Sequence, residues 1–348
     1  MGSGRNDASS LPVTARVRVI VLNFNGGEMV QQAVASVLES RWPAGALEVV
    51  LVDNASTDGS ADRVAALFPA VRMVRSARNA GFPANNLAMA DLTGVDYVAL
   101  VNPDAYVEPD WLDPLVAALR EDARLGAACP LLLFAARDDE GRDIVNNAGC
   151  EVLTNGYARD RSMGVVYAPE AFVPVDVFAW SGGAVLLRRE FLDDVGLFDA
   201  RFFLYYEDID LSWRGRSRGW RYRLVPDSIV HHHHAATVEV GSPIHRYYSE
   251  RNRLLTLMKN APAAMVVREV ARFPLSTASY LWSEAVAPLG RGRRPQLGTV
   301  ALRVRAFGGA LRHAVYALRA RRRIARRRTE SPQRLVAELV RDRTLRRT

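Results

Sequence analysis

At 348 residues, 49% apolar and 24% charged, the chain has the make-up of a globular protein with a sizeable core, which excludes a disordered or fibrous chain. Two cysteines without C-x-x-C spacing, Cys129 and Cys150, exclude a disulfide framework and a thiolate zinc cluster; with no apolar leader and no run of 18 apolar residues, a cytoplasmic protein without a membrane span is expected. Net charge is +8 but uneven: beyond residue 290, 18 Arg and no Lys face only Glu330, Glu338 and Asp342, so this tail carries +15 and the preceding part −7.

VRVIVLNFN (17–25) is a continuous β-rich run, and GGEMVQQAVASVLES after it repeats apolar residues at Met29, Val30, Ala33, Val34, Val37 and Leu38 with helical spacing. LEVVLVDN (47–54) is a second buried-strand pattern, so strand, helix and strand form a βαβ unit with a parallel sheet. STDGSADRVAALF predicts a helix capped by Ser56 or Thr57, with Asp58 in the first turn where the helix dipole favours an acid. VRMVRS (71–76) and VDYVALVNPD (95–104) add two strands. Ligands of open α/β sheets gather beyond the carboxyl ends of parallel strands. Three polar clusters stand there, Asn23-Phe24-Asn25, Asp53-Asn54 and Asn102-Pro103-Asp104, and a nucleotide is expected among them. Neither G-x-G-x-x-G after the first strand nor G-x-x-x-x-G-K-[ST] occurs, which argues against NAD-binding and P-loop domains.

After Pro130 the pattern loosens into loops and short strands. SGGAVLLRREFLDDVGLFD (181–199) predicts a strand, a helix and a turn, and RFFLYYEDIDLSWRGRSRGW (201–220) an acidic cluster opening a helix docked by Ile209, Leu211 and Trp213. YRLVPDSIVHHHH (222–234) predicts an edge strand closing the body. From Arg253 the sequence turns helix-rich, and Leu297, Val300, Val304, Phe307, Leu311, Val315 and Leu318 form a stripe flanked by Arg305, Arg312 and Arg319. This basic amphipathic helix is weakened at Gly308 and Gly309. Its charge suits an anionic membrane surface or nucleic acid, and its stripe suits either lipid or a dimer seam.

Asp104 follows a strand and precedes a loop, so its carboxylate can hold a hard cation bridging a diphosphate; Asn102-Pro103-Asp104 also reads as a plain turn. Glu207, Asp208 and Asp210 crowd three carboxylates together, which raises the affinity of one for a proton and suits a general base; an acidic first helical turn is the plainer reading. Asp210 either caps the helix or pairs with Arg214. His231 to His234 are internal and so are no tag, and on a strand only alternate members share a face, so the four cannot converge on one ion.

VIVLNFNGG, VDNASTDGS, RNAGFPANN, VNPD, SGGAVLLRRE, VGLFDARFFLYYEDIDLSWR and VPDSIVHHHH occur in the order found in family 2 glycosyltransferases, and the chain resembles the rhamnosyltransferase-like branch over residues 16–260. The resemblance implies a GT-A fold, a Rossmann-like, mostly parallel sheet flanked by helices, in an α/β protein with a helical, basic C-terminal extension. The expected organisation is a flexible N-terminus (1–15), a catalytic domain (16–260) and an Arg-rich helical region (261–348) that meets membrane or another copy of the chain. By the same resemblance Asp53 accepts from a pyrimidine N3–H, Asn23 and Phe24 line the base, and Asn54 and Asp58 support the loop or simply cap the helix. Arg78 and Asn79 are candidates for ribose or phosphate contact or for loop capping. Asn102 replaces the first acid of the family's Asp-x-Asp, Asp104 and His232 hold Mg²⁺ or Mn²⁺, and His234 is the reserve ligand. Asp208 is the base, Glu207 lies beside the acceptor, and Gly182 and Trp180 form the acceptor loop, with Trp180 stacking on a sugar or joining the core.

The implied activity is inverting transfer of a hexose, rhamnose foremost, from a UDP- or dTDP-sugar to a glycolipid or cell-envelope polysaccharide at the inner face of the membrane, with no nucleic acid involved. A sugar-1-phosphate nucleotidyltransferase is the alternative, but it needs a glycine-rich activation loop with a basic residue, which GGEMVQQ lacks. A non-catalytic nucleic-acid-binding protein is the second, resting on the Arg-rich tail alone.

Overall fold

The computed structural model describes residues 14–233, 241–292 and 294–341. Strand β1 (Val17–Asn23) is followed by α1 (Met29–Leu38), β2 (Leu47–Asp53), α2 (Ser60–Leu67), β3 (Arg72–Arg75), β4 (Tyr97–Val101) and the short β5 (Ala105–Val107). The apolar run of β4, and that of β1 interrupted by Arg18, are those of strands covered on both faces. In α1, Val30, Ala33, Val34 and Val37 fall on one face and are buried, as their spacing predicts. Helix α2 starts later than the capping pattern suggests. Gly59 takes φ 75°, and Asp58 stands before the helix, where its Oδ1 accepts from the Ser60 N–H at 3.0 Å.

Helix α3 (Leu112–Glu121) leads to β6 (Leu125–Phe134), then the short strands β7 (Val145–Asn147), β8 (Cys150–Val152), β9 (Ala158–Asp160) and β10 (Val175–Val177). β11 (Ala184–Arg188), α4 (Arg189–Val195), α5 (Glu207–Arg216) and β12 (Arg221–His232) complete the sheet domain. The strand order is β10-β12-β6-β11-β4-β1-β2-β3, with β1, β2, β3 and β4 mutually parallel and β11 antiparallel between β4 and β6. β12 is therefore not an edge strand: it runs parallel to β6 and is covered by β10 and β5 on its other side. Its apolar residues are buried because the strand lies inside the sheet. One core packs α1, α2 and α3 on one face, and a second packs α4 and Phe82 on the other.

The C-terminal helices are α6 (Pro243–Asn260), α7 (Ala263–Leu281), the short α8 (Ala287–Leu289), α9 (Gly298–Arg312), α10 (Ala314–Arg327) and α11 (Pro332–Ala337), and a third core joins α5 to all of them but α8. Helical character thus begins at Pro243, ahead of Arg253. The long amphipathic segment breaks at His313 rather than at Gly308 and Gly309, and most of its predicted stripe points outward: Leu297, Val304, Leu311, Val315 and Leu318 are exposed, whereas Phe307 stacks on Phe273 in the third core. The inward face is made of small residues, Ala306, Ala310, Ala317 and Ala320, with Arg303 bonded to Glu250 at 2.5 Å. Small side chains let the helices approach closely, which a hydropathy stripe does not reveal.

A buried ionic cluster ties the two parts together. Lys259 Nζ of α6 lies 2.7 Å from Asp199 and 2.8 Å from Asp210, and Arg214 and Asn260 satisfy the rest of the Asp210 carboxylate. Asp210 pairs with Arg214, as one of its two sequence readings has it. Lys259→Met removes the shared cation and leaves two buried carboxylates together. Chemical denaturation is expected to show a loss of about 3 to 5 kcal/mol.

Candidate active site

The register Asn23↔Asp53↔Arg75 aligns the ends of β1, β2 and β3. Asn23 is fully buried: its Nδ2 donates to Ser56 Oγ and Ser60 Oγ, and its Oδ1 accepts from Gly26 N–H at 3.0 Å. Asn54 donates to Asn79 Oδ1 and the Gly81 carbonyl and accepts from Ala80 N–H at 2.8 Å. These two amides shape the loops and have their hydrogen bonds filled within the protein. Asp53 accepts from Ser56 N–H through Oδ1, and its Oδ2 lies 3.6 Å from Arg75 Nη1. Phe24 is half-buried, and Arg78 is exposed beside Asn79. Phe24, Asp53 and Arg78 are the members of this group whose side chains make no such interlocking amide bonds.

Asn102, just past β4, is half-buried, and its N–H donates to the Gly183 carbonyl at 2.9 Å. Asp104 and His232 are both buried, with His232 Nε2 3.2 Å from Asp104 Oδ1. The other imidazole nitrogen, Nδ1, bonds Asn146 Oδ1 at 2.9 Å. An Nδ1–H donated to that amide oxygen leaves Nε2 as the lone-pair nitrogen, aimed at a carboxylate oxygen. Two electron-rich atoms so placed suit a shared cation, and an oxygen and an imidazole nitrogen suit Mn²⁺ better than Mg²⁺. Among the described residues no group of three His, Cys, Asp or Glu side chains assembles. His231 bonds Glu108 at 2.8 Å, His233 packs edge-on to Tyr106, and His234 lies outside the described residues.

The acidic pair opens α5. Glu207 is 5% exposed and its Oε2 meets no hydrogen-bond partner; burial, then the neighbouring Asp208 charge, push its carboxyl well above the usual range. Asp208 remains partly open to solvent, and its Oδ2 accepts from Gly182 N–H at 3.1 Å. Burial pushes its carboxyl up to about 6, against the hydrogen bonds from Ile209 and Gly182 that favour the anion.

Gly182 and Gly183 connect the two acidic centres. Gly182 holds Asp208, while Gly183 receives Asn102 and lies against His232, its Cβ position 3.4 Å from His232 Cε1. A side chain on Gly182 would press on the Phe82 ring at 2.9 Å. Of the two readings of Trp180, the sugar platform given for the acceptor loop is corrected and the core residue stands: it is 0% exposed and packs edge-on against Phe198. Backbone approach at the glycines survives as the acceptor-side feature; aromatic stacking does not.

Several residues were invisible to motif reasoning. Asn146 orients His232, and Asn147 bonds Asp160, whose charge bears on Asp208. Phe203, Tyr205 and Tyr206 take φ values of 65°, 64° and 71° immediately before Glu207. Such left-handed backbone costs roughly 1 to 3 kcal/mol per bulky residue and persists only where its surroundings enforce it. Asn252 of α6 does so, its Nδ2 donating to the carbonyls of Phe202, Leu204 and Tyr205. Gly81, at φ 70°, abuts the Phe203 carbonyl, which accepts from Phe82 N–H at 2.8 Å. The nearest sequence signal was the unusual run FFLYY before two acids.

The model of the family described as Glycosyl transferase family 2 matches residues 18–195. Over 239 residues the chain is 30% identical to N-acetylglucosaminyl-diphospho-decaprenol L-rhamnosyltransferase of Mycobacterium tuberculosis (strain ATCC 25618 / H37Rv), spanning 62% of this chain and 76% of that protein. It is 24% identical over 235 residues to dTDP-rhamnosyl transferase RfbF of Shigella flexneri, across 64% of this chain and 75% of RfbF. Among solved structures, GalNAc-T7 with UDP, GalNAc and Mn²⁺ superposes with a TM-score of 0.57 at 16% identity, over 88% of this chain and 57% of that one. That likeness bears on the fold, which is the expected α/β arrangement with a mostly parallel sheet.

Two outcomes follow from this geometry. A base at Asp208 works as the carboxylate, so kcat/KM should rise about tenfold per pH unit on the acid side, bend near about 6 and stay flat above it, read from the pH dependence of kcat/KM. Gly81→Ala combines a positive φ with collision against the Phe203 carbonyl and should lower both melting temperature and turnover, whereas Gly45→Ala, at φ 79° with open space around it, should lower only the former and by less.

Proposed function

This chain belongs to glycosyl transferase family 2, and on that premise we propose that it moves rhamnose from dTDP-rhamnose, with inversion, to a sugar hydroxyl of a diphosphate-linked lipid acceptor. The observation that carries the reading is the two-glycine bridge that sets Asp208 on one side and the Asp104–His232 pair on the other. A base for the acceptor and a cation site for the leaving diphosphate stand within one dipeptide of each other, as a single displacement requires.

Asp53 is offered to the N3–H of a thymine or uracil, an imide hydrogen that cytosine lacks. Phe24 supplies an apolar face to the base, and Arg78 a guanidinium to phosphate. Asp104 and His232 would hold Mn²⁺ or Mg²⁺, and a bound divalent ion supplies neutralisation of the charge that builds on the departing diphosphate. Asp208 takes the acceptor's O–H proton. The oxygen then forms its bond to the anomeric carbon as the bond from that carbon to the phosphate oxygen breaks, and the electron pair leaves with dTDP. Glu207, whose carboxyl burial and the neighbouring Asp208 charge push upward, lies beside the base on the acceptor side.

The acceptor class follows the name of the mycobacterial relative, and the Arg-rich helical tail with its outward apolar stripe suits the anionic face of a membrane. No helix of the described residues is long and apolar enough to cross one. Release of free dTDP without pyrophosphate separates this reading from nucleotidyl transfer.

Asp208→Asn should retain donor binding by calorimetry while transfer falls by at least about a thousandfold; near-normal transfer contradicts the assignment. His232→Ala should weaken Mn²⁺-dependent donor binding about tenfold or more and His233→Ala should leave it unchanged, with equal effects placing the ligand elsewhere. Asn146→Ala should raise the Mn²⁺ concentration needed for half-maximal transfer, because it releases the imidazole it orients.

A further inference from the structure

A second concave site lies away from the sheet edge, between α10 and the turn that begins at Asp199. It is a cleft of about 580 Å³ lined by Arg201, Tyr316, Arg319, Arg322, Arg323 and Arg326. Tyr316, Arg319, Arg323 and Arg326 follow each other by three, four and three residues, so one stripe of α10 supplies them. The cleft has a built side: the Arg201 guanidinium lies 3.8 Å over the Tyr316 ring, and the Tyr316 hydroxyl donates to Asp199 at 2.6 Å. Asp199 is already taken by Lys259 at 2.7 Å and reaches Arg201 only at 3.9 Å. Arg319, Arg322, Arg323 and Arg326 have no acidic partner among the described residues.

Four unpaired guanidiniums along one cleft repel each other, and the arrangement is stabilised by an anion that reaches several of them. A phosphodiester headgroup brings one charge; two linked phosphates bring at least two, spaced to be gripped by planar forks. Beside the arginines on the same helix, Val315 and Leu318 are 63% and 51% exposed, and Leu311 one turn earlier is 48% exposed. An oligo-anionic head and an apolar chain therefore have adjoining surfaces.

We propose that this arginine cleft binds the diphosphate of an isoprenoid-type lipid, with the chain laid along Leu311, Val315 and Leu318. Recognition of a diphosphate by the cleft stands on its own chemistry; its identity with the acceptor's diphosphate rests on the transfer reaction proposed above. The turn bearing Arg201 runs directly into Glu207 and Asp208, so cleft and base are joined by seven residues, at most roughly 25 Å of chain. The cleft thus recruits the lipid on a stretch of chain continuous with the base.

The test compares the full chain with Arg319→Gln/Arg323→Gln/Arg326→Gln, three exposed positions without internal bonds, in sedimentation with phosphatidylcholine vesicles. One set contains decaprenyl diphosphate, a second contains phosphatidylglycerol at equal total charge, and single-stranded RNA serves as competitor. The unaltered chain should bind the diphosphate vesicles at least about tenfold more tightly than the phosphatidylglycerol vesicles, and the triple variant should lose that preference with its melting temperature unchanged. Equal binding to both vesicles, a preference that survives in the variant, or displacement by RNA at equal charge overturns the proposal. With dTDP-rhamnose and a sugar-bearing decaprenyl diphosphate supplied, transfer by the unaltered chain reports the transfer reading separately: no transfer overturns that reading, whereas no diphosphate preference in the unaltered chain overturns the cleft alone.

Discussion

The catalytic arrangement depends on close backbone approach at Gly182 and Gly183. Gly183 lies against Leu132 and His232, Gly182 faces Phe82, and their polar backbone groups bond Asp208 and Asn102. Any side chain at these positions would press on Phe82, Leu132 and His232. With none, a carboxylate that takes protons and a carboxylate–imidazole pair that suits a cation share one backbone scaffold. Their separation is set by covalent geometry rather than by flexible side chains, which is what preorganised chemistry requires.

The second constraint comes from the C-terminal helices. The left-handed run through Phe203, Tyr205 and Tyr206 would relax if left alone, and Asn252 of α6 holds three of its carbonyls. Lys259, one helix end further on, anchors Asp199 and Asp210 to either side of that run. The helical region is therefore a buttress for the acidic pair as well as an outward surface. Burial by this buttress is also what raises the proton affinity of Glu207 and Asp208, so fold and chemistry share one cause.

Much of the fold was legible because its signals are local and redundant. The apolar runs of β1, β2 and β4 and the helical spacing of α1 could be read residue by residue, and the polar clusters after them marked the strand ends. β12 was misplaced at an edge because lateral neighbours in a sheet come from distant sequence. The α9–α10 stripe was read as a surface for lipid or a second copy, and the alanine face that packs against the other helices was not read at all. In the site, Asp53, Asp104, Asp208 and His232 were named from short motifs, and the structure brings Asp104 and His232 together. Trp180 was ambiguous, since a large aromatic beside glycines suits a core and a platform equally. Asn146 and Asn252 carry no local signal at all, because an amide that orients another residue is recognisable only by its partner.

The central claim is that Asp208 deprotonates the acceptor for a single displacement at the anomeric carbon. The most direct test is the anomeric configuration of the transferred sugar, read from the one-bond carbon–proton coupling of the product made by the unaltered enzyme with dTDP-rhamnose. The account predicts a configuration opposite to that of the donor; a product of the same configuration would contradict it.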